Sequence, residues 1–244
     1  MNSRRLDEEI TARGLLPSRA RARDAVLRGT VSVNGVLARK PSQSVSTTDP
    51  IIVADEAQHY VSRAALKLLH ALDHFKLPIQ GRVCLDIGAS TGGFTQVLLE
   101  RGAKHVAAID VGHGQLAPVL VNDNRVTPIE GLNVRDITRD QYPPDCSLIT
   151  CDVSFISLKL ALYPVLALAL PETDLVALIK PQFEAGKENV GKGGVVADPD
   201  LHRSICENIQ QFLETSGWEV AGVEPSPIKG GDGNKEFLIA ARKH

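Results

Sequence analysis

Four ionisable side chains each follow a short apolar run, and this pattern is the first sign of chemistry in the 244-residue sequence. Asp86, Asp110 and Asp152 each end such a run, and Lys180 ends a fourth. In an open parallel sheet the carboxyl ends of the strands share one edge, where ligands bind. A solvated strand end explains any single one of these residues, but four in succession favour a functional cleft.

The stretch after Asp86, "GASTGGFT", is typical of a loop between a strand and a helix in nucleotide-binding folds. Its glycines, Gly88, Gly92 and Gly93, do not form the G-x-G-x-x-G turn that holds a pyrophosphate. Asp110 lies about 20 residues beyond the loop, where an acid commonly holds ribose hydroxyls. This spacing fits a dinucleotide or S-adenosylmethionine, and small loop residues let the backbone approach an adenosyl or amino-acid group closely. The three glycines also fit an ordinary packed loop.

Lys180 stands after five apolar residues and before Pro181, in "LVALIKPQFE". A lysine in a cleft of low polarity, beside another cation, loses its proton more readily and can act as a base. The alternative is a lysine that extends from the sheet edge into solvent. The sequence alone leaves both interpretations open.

From Val83 onward, apolar strands alternate with helices, which predicts an α/β fold with a doubly wound, mostly parallel sheet. Strands are predicted at residues 83–87, 106–111, 126–129, 148–151, 175–179, 219–223 and 237–241. Helices are predicted at residues 93–101, 155–169 and 199–216. A further helix precedes the first of these strands, with Ser62 as its N-cap and with Arg63 and Lys67 on one face.

The N-terminal segment predicts a separate small α+β domain. Two short helices, the second between Ser18 and Gly29, precede a hairpin around the dipeptide Asn34-Gly35. A polar linker with a short strand at Ile51–Val53 follows. The predicted domains are therefore residues 1–58 and 59–244.

This small domain is strongly basic. Between residues 13 and 40, seven basic residues and one acid give a local charge of +6, although the whole chain carries −2. A basic block in an acidic chain predicts a local anionic partner.

Composition also limits the class of protein. The four cysteines show no paired spacing and predict reduced thiols. The charged N-terminus does not resemble a signal peptide, and the longest apolar stretch, residues 160–170, is too short to span a bilayer. A cytoplasmic protein with no membrane partner and no metal site is expected.

Seven motifs together resemble one protein family, the TlyA family of ribosomal RNA methyltransferases, some members of which were labelled haemolysins. In chain order they are "YVSRAALKL", "CLDIGASTGGFTQVLLERGA", "AIDVGHGQL", "CDVSFISL", "LIKPQFE", "GKGGVV" and "GNKEFL". Residues 1–55 resemble the RNA-binding domain named after ribosomal protein S-four, and the remainder resembles the FtsJ-like, Rossmann-like methyltransferase fold. Ala64 departs from the glycine common in the family, a change that a helix tolerates.

The resemblance implies a catalytic tetrad for 2′-O-methylation, made of Lys67, Asp152, Lys180 and Glu236. Lys180 is the candidate general base for a ribose hydroxyl, and the two carboxylates are expected to orient the lysines.

The resemblance also implies an S-adenosylmethionine pocket, lined by Asp86, Gly88, Ser90, Gly92, Gly93 and Asp110. Asp136 either reaches the adenine edge or caps a helix. RNA contacts are expected from Arg19, Arg23 and Lys40, each of which is at least as well explained as a surface cation. Arg63 is expected to hold the substrate phosphate near the reacting ribose.

The expected reaction is 2′-O-methylation of a cytidine in ribosomal RNA, with ribosomal RNA or a ribosomal subunit as partner and a monomer favoured. The chain ends seven residues after Phe237, like shorter family members that act on the large subunit. A non-catalytic RNA-binding assembly factor remains an alternative. A nicotinamide-dependent oxidoreductase and a membrane-active toxin fit less well, because the pyrophosphate turn and a spanning segment are missing from the sequence.

Overall fold

The computed structural model describes residues 3–230 and 233–244. The chain divides into two compact units, residues 1–59 and 60–244. Within the described residues, none of the helices combines the length and the apolar character that crossing a bilayer requires. The four cysteines are free thiols, three of them buried.

The first unit is a small α+β domain. Its elements are β1 (Ser3–Arg5), α1 (Leu6–Ala12), α2 (Arg19–Leu27), β2 (Val31–Val33), β3 (Val36–Leu37), β4 (Ser44–Ser46) and β5 (Ile51–Val53). The predicted hairpin joins β2 to β3, because Asn34 and Gly35 adopt the positive φ angles, 52° and 77°, that a tight turn needs. Ser18 caps α2 as predicted, since its side chain accepts a hydrogen bond from the Arg21 amide.

The second unit is the predicted α/β fold. Its elements are α3 (Ala65–His74), β6 (Val83–Ile87), α4 (Gly93–Glu100), β7 (His105–Asp110), α5 (Pro118–Val121), β8 (Val126–Glu130), β9 (Cys146–Cys151), α6 (Leu158–Leu168), β10 (Asp174–Ile179), α7 (Pro181–Glu184), α8 (Pro199–Thr215), β11 (Trp218–Pro225) and β12 (Phe237–Lys243).

Seven strands form one sheet in the order β11-β12-β10-β9-β6-β7-β8. The pairs from β10 to β8 are parallel, whereas β12 runs antiparallel to both of its neighbours. The ionisable residues identified from the sequence lie at or next to the carboxyl ends of four strands, β10, β9, β6 and β7, which are contiguous in the sheet. Their carboxyl ends meet at one edge, as the sequence predicted.

The sheet is buried on both faces, which explains the continuous apolar strands. Successive residues of one strand serve opposite cores: Leu148 packs with the core that includes α3 and α4, and Ile149 packs with the core that includes α6 and α8. Both side chains are fully buried.

Two helices begin later than predicted. The helix expected from residue 155 begins at Leu158, because Phe155 has a positive φ of 65° that a helix does not accommodate. The helix expected after Ser62 begins at Ala65, and Ser62 instead accepts a hydrogen bond from the Ala64 amide in the preceding turn. Arg63 lies in this turn, so the prediction that it shares a helical face with Lys67 is wrong.

A buried carboxylate lies at the end of the central strand β6. Asp86 is fully buried and accepts hydrogen bonds from the hydroxyls of Thr95, at 2.6 Å, and Thr150, at 2.9 Å. Burial raises the pKa of Asp86 to about 6, although the two threonines favour its ionised form. The ionised side chain therefore costs stability near neutral pH.

We predict that Asp86→Asn changes the pH dependence of stability. The raised pKa means that the folded protein binds this proton more tightly than the unfolded chain does, so wild-type stability falls as pH rises from about 4 to about 6. The full change in the free energy of unfolding from this group is roughly 3 kcal/mol. The Asp86→Asn variant does not show this change, because an amide side chain does not titrate. Urea unfolding at pH 4.5 and 7.5 should show the wild type losing stability relative to the variant.

Asp123→Asn is the control for this measurement. Asp123 titrates below this range because Arg125 lowers its pKa, so its substitution should give the same stability difference at both pH values. A pH-independent difference for Asp86→Asn as well would contradict the prediction.

Candidate active site

Two adjoining cavities lie at the carboxyl edge of the sheet. The larger has a volume of about 850 Å³, within the usual range for ligand pockets, and the smaller has about 170 Å³. Gly88, Ser90, Asp152 and Ser154 line both cavities, whereas Lys180 lines only the smaller one. The two spaces therefore meet beside Asp152 and Lys180.

The four tetrad candidates lie together and form a chain of alternating charge. Lys180 Nζ is 2.5 Å from Asp152 Oδ1, an ion-pair contact without hydrogen-bond geometry. Asp152 Oδ2 is 3.9 Å from Lys67 Nζ, and Lys67 Nζ donates a hydrogen bond of 2.6 Å to Glu236 Oε2. Lys180 also donates a 2.8 Å hydrogen bond to Ser154 Oγ.

These charges are largely withdrawn from water. Lys67, Lys180 and Glu236 are only 6%, 8% and 4% exposed. Buried charges are tolerated when each has a partner, and removing one partner leaves another charge uncompensated. The alternation of lysine and carboxylate satisfies this condition for all four side chains of the tetrad.

Separate elements deliver the four residues. Lys67 lies on α3, Asp152 follows β9 and Lys180 follows β10. Glu236 precedes β12, whose antiparallel pairing sets Phe237 opposite Ile179. The beginning of β12 therefore meets the end of β10, and Glu236 reaches the same edge as the other three.

Asn234 holds the segment before Glu236 and was not singled out from the sequence. This side chain is fully buried; its Oδ1 accepts a hydrogen bond from the Val196 amide, and its Nδ2 donates to the Gly194 carbonyl, both at 2.9 Å. It thereby joins the "GKGGVV" and "GNKEFL" motifs. The only sequence signal for this contact was the presence of both motifs. Neither motif by itself indicates that Asn234 binds the Gly194–Val196 segment.

The glycine loop lies directly against the tetrad. A Cβ atom on Gly88 would lie 2.6 Å from the Asp152 carbonyl oxygen, a distance that real side chains do not adopt. Gly88 also has a φ of 79°. Only glycine therefore lets the loop and the Asp152 backbone approach each other this closely.

Asp110 fixes the other side of the loop. Its two carboxylate oxygens accept hydrogen bonds from the amides of Ser90 and Gly112, each at 2.8 Å. Asp110 also lines the larger cavity, so its remaining lone pairs are available to hydroxyl groups of a ligand.

The other predicted cofactor residues have different positions. Asp86 is buried beneath the loop and does not line either cavity. Gly92 packs against Leu120, and Gly93 lines the smaller cavity. Asp136 is exposed at the end of a short 3-10 turn, whose N-cap is Asn133.

The wall of the larger cavity suits an adenosyl group. Leu132, Val134 and Ile156 provide apolar surface, and Asp110 provides a carboxylate for ribose hydroxyls. Asp110 and Asp152, which both line this cavity, provide negative charge that would attract a sulfonium cation. The residues present therefore fit S-adenosylmethionine.

Phe155 is a further cavity residue that the sequence did not reveal. It is 91% exposed and lies beside Phe183, with ring centroids 5.2 Å apart. A positive φ in a bulky residue is uncommon and often marks a functional position. An exposed ring at a cavity wall offers a stacking surface for a planar ligand.

The seven basic residues between positions 13 and 40 of the first unit fall into two groups. Arg13, Arg21 and Arg28 bind groups of their own unit: Arg13 contacts Glu9 and the Asp49 carbonyl, Arg21 the Ala57 carbonyl and Arg28 the Asp55 carboxylate. The exposed group is Arg19, Arg23, Arg39 and Lys40.

Arg19 is part of the exposed group although it lies near acids. Its guanidinium is 3.5 Å from Asp7 and 3.2 Å from Glu8, and the side chain is 55% exposed. The three residues predicted to contact RNA in this unit, Arg19, Arg23 and Lys40, thus all belong to the exposed group.

Comparison with known proteins agrees with this architecture. Residues 60–243 match the family of FtsJ-like methyltransferases, and residues 4–51 match the S4 domain family. A solved structure described as a hemolysin of Streptococcus thermophilus is 39% identical, with a TM-score of 0.77; the match covers 100% of this chain and 89% of that one.

Two curated relatives are similar along most of their length. The 16S/23S rRNA (cytidine-2′-O)-methyltransferase TlyA of Mycobacterium tuberculosis is 44% identical over 98% of this chain and 89% of its own. The 23S rRNA (cytidine-2′-O)-methyltransferase TlyA of Campylobacter jejuni is 38% identical over 80% of this chain and 76% of its own. With its S4 domain, its methyltransferase sheet and these relatives, the chain belongs to the FtsJ-like methyltransferases of the TlyA type.

Proposed function

We propose that this protein transfers a methyl group from S-adenosylmethionine to the 2′-hydroxyl of a cytidine in ribosomal RNA, with the large-subunit RNA as substrate. The observation that carries the proposal is the buried chain Lys180–Asp152–Lys67–Glu236 at the junction of two cavities. One cavity suits the cofactor, and the other is small enough for a single sugar.

The named activities of the relatives support the substrate. Both relatives are cytidine-2′-O-methyltransferases, and 23S rRNA is common to their names. Large-subunit RNA is therefore the substrate proposed for this chain.

Lys180 is the proposed general base. It lines the smaller cavity, where the ribose hydroxyl must lie to face the methyl donor across Asp152 and Ser154. Lys180 reacts in its deprotonated form: the neutral amine takes the hydroxyl proton as the oxygen forms its bond to carbon, and the lysine becomes an ammonium. S-adenosylmethionine, when bound, supplies a methyl group on a sulfonium, which leaves as a neutral thioether.

The other three members position Lys180. Asp152 contacts Lys180 and stabilises the ammonium that forms when the proton arrives. Lys67 holds Asp152 from the other side, and Glu236 in turn holds Lys67. Methyl transfer needs an in-line approach, so this fixed geometry contributes much of the rate.

The proposed role of the first unit is RNA binding. Its exposed basic residues provide contacts for phosphates, and such contacts give affinity without sequence specificity. The partly buried arginines of the same unit, Arg13, Arg21 and Arg28, serve its internal contacts instead.

The proposal is tested by incubating the protein with labelled S-adenosylmethionine and ribosomal subunits that lack the modification. A 2′-O-methyl group blocks alkaline cleavage at the next phosphodiester, so one new protected position in large-subunit RNA is expected. RNA binding without any methyl transfer would instead support the assembly-factor alternative.

Substitution of Lys180 should stop the chemistry and spare cofactor binding. Loss of a positioned base typically costs 10²- to 10⁴-fold, and both Lys180→Ala and Lys180→Arg should fall by about that factor in single-turnover assays. Lys180 does not line the larger cavity, so affinity for S-adenosylhomocysteine by calorimetry should change little. Lys104→Ala, at an exposed lysine, is the control. Near-normal turnover by either Lys180 variant would show that Lys180 is not the general base.

Gly88→Ala should reduce activity by more than the backbone strain alone explains. Its new Cβ collides with the Asp152 carbonyl and displaces this carboxylate from Lys180. Gly81→Ala is a matched control, because Gly81 has nearly the same φ, 78°, with nothing within 4 Å of its Cβ position. We expect both variants to lose thermal stability from the positive φ, Gly88→Ala more so because its Cβ also meets the Asp152 backbone, and we expect at least about 10-fold lower methyl transfer per folded molecule only in Gly88→Ala. Equal activity of the two variants would argue against this contact.

Removing two exposed cations should flatten the salt dependence of RNA binding. If Arg23 and Lys40 contact phosphates, the double alanine variant should lower the log–log slope by about 1.4 to 1.8. Lys104→Ala with Arg203→Ala removes the same charge from exposed positions in the second unit and should leave the slope near wild type. Filter binding at several salt concentrations measures both, and equal slopes for the two double variants would refute the RNA-binding role.

A further inference from the structure

A cluster of three potential metal ligands lies outside the tetrad and both cavities. His70 and His74 are four residues apart on α3, and Glu224 lies on the edge strand β11. One side-chain ligand atom from each residue lies within 4.8 Å of the others. Residues at i and i+4 share one face of a helix, so both imidazoles point toward the same strand.

The distances within this cluster are close to those of a coordination sphere. His70 Nε2 is 3.7 Å from Glu224 Oε1, and His74 Nε2 is 3.8 Å from Glu224 Oε2. In a tetrahedral zinc site with bonds of about 2.0–2.2 Å, ligand atoms lie about 3.3 Å apart. Small side-chain rotations therefore suffice to close the site around an ion.

A second observation points to a missing partner. His70 Nε2 is buried from solvent and has no hydrogen-bond partner among the described residues. A buried polar nitrogen without a partner costs free energy, which a bound cation would offset. The carboxylate of Glu224 supplies the negative charge that such a cation needs.

The site is also reachable from solution. The side chains of His70, His74 and Glu224 are 35%, 46% and 32% exposed. Two imidazoles and one carboxylate form a ligand set typical of Zn²⁺ and related divalent transition metals, with a remaining position open to water.

We propose that His70, His74 and Glu224 form a binding site for a divalent transition-metal ion of the Zn²⁺ class. The ion would join α3 to β11. Lys67 lies one turn before His70 on α3, and β11 pairs with β12, which directly follows Glu236. The site thus joins the helix that carries Lys67 to the strand that pairs with β12, and its expected effect is to stabilise this contact.

The test uses the full chain, freed of metal by chelation and titrated with Zn²⁺. Calorimetry and elemental analysis should show one equivalent bound, and Co²⁺ should give the visible absorption of a tetrahedral site. The thermal midpoint should rise with Zn²⁺. Loss of residues that merely orient metal ligands costs 10- to 100-fold in affinity, so His70→Ala and His74→Ala should each weaken binding at least about 10-fold.

Two further variants make the result decisive. Glu224→Gln keeps the shape of the side chain and should also weaken Zn²⁺ binding, whereas His105→Ala, at a histidine that contacts Thr127 instead, should bind like the wild type. Failure of the wild type to bind Zn²⁺ would overturn the proposal. Unchanged affinity in the His70, His74 and Glu224 variants would do the same, because the ion would then bind elsewhere.

Discussion

The buried alternation of positive and negative charge at the sheet edge is the constraint on which the second unit depends. Each member of the chain Lys180–Asp152–Lys67–Glu236 compensates the next. Such a chain adds little net stability compared with apolar packing, but an incomplete one is strongly unfavourable. The fold must therefore deliver all four side chains to one place, from a helix and from the ends of three strands.

Close backbone packing converts this charged chain into a site with two compartments. Gly88 sets the loop against the Asp152 carbonyl, and Asp110 holds the same loop through the Ser90 amide. The loop then separates a large cavity with an apolar wall from a small one that contains Lys180. This division matches a reaction in which a large donor must meet one small acceptor group in line.

In the first unit, charge has two separate uses. Part of the local positive charge is used inside the unit, where Arg13, Arg21 and Arg28 bind carbonyl and carboxylate oxygens. Only the exposed remainder is available to an anionic partner. A charge count from sequence therefore overstates the surface that RNA can meet, because it does not distinguish these two groups.

The four tetrad candidates were identified through the resemblance to a family, and their roles stay a prediction. The sequence by itself determined the order of strands and helices and the parallel core. These features follow from local patterns, since apolar periodicity, glycine turns and strand-end residues depend on near neighbours. Ser18 as a helix cap and the Asn34-Gly35 turn were found for the same reason.

Only the tertiary structure decided what depends on residues distant in sequence. The antiparallel pairing of β12 with β10 brings Glu236 close to the other three charged side chains. Asn234 accepts a hydrogen bond from the Val196 amide and so fixes the segment before Glu236. The start of α6 is set by Glu184, which accepts the Leu158 amide at 2.6 Å. Glu184 lies 26 residues further along the chain, so no pattern within the helix itself reveals this contact. A local pattern records the preference of a segment, whereas these positions are fixed by hydrogen bonds and packing between segments that meet only after the chain has folded.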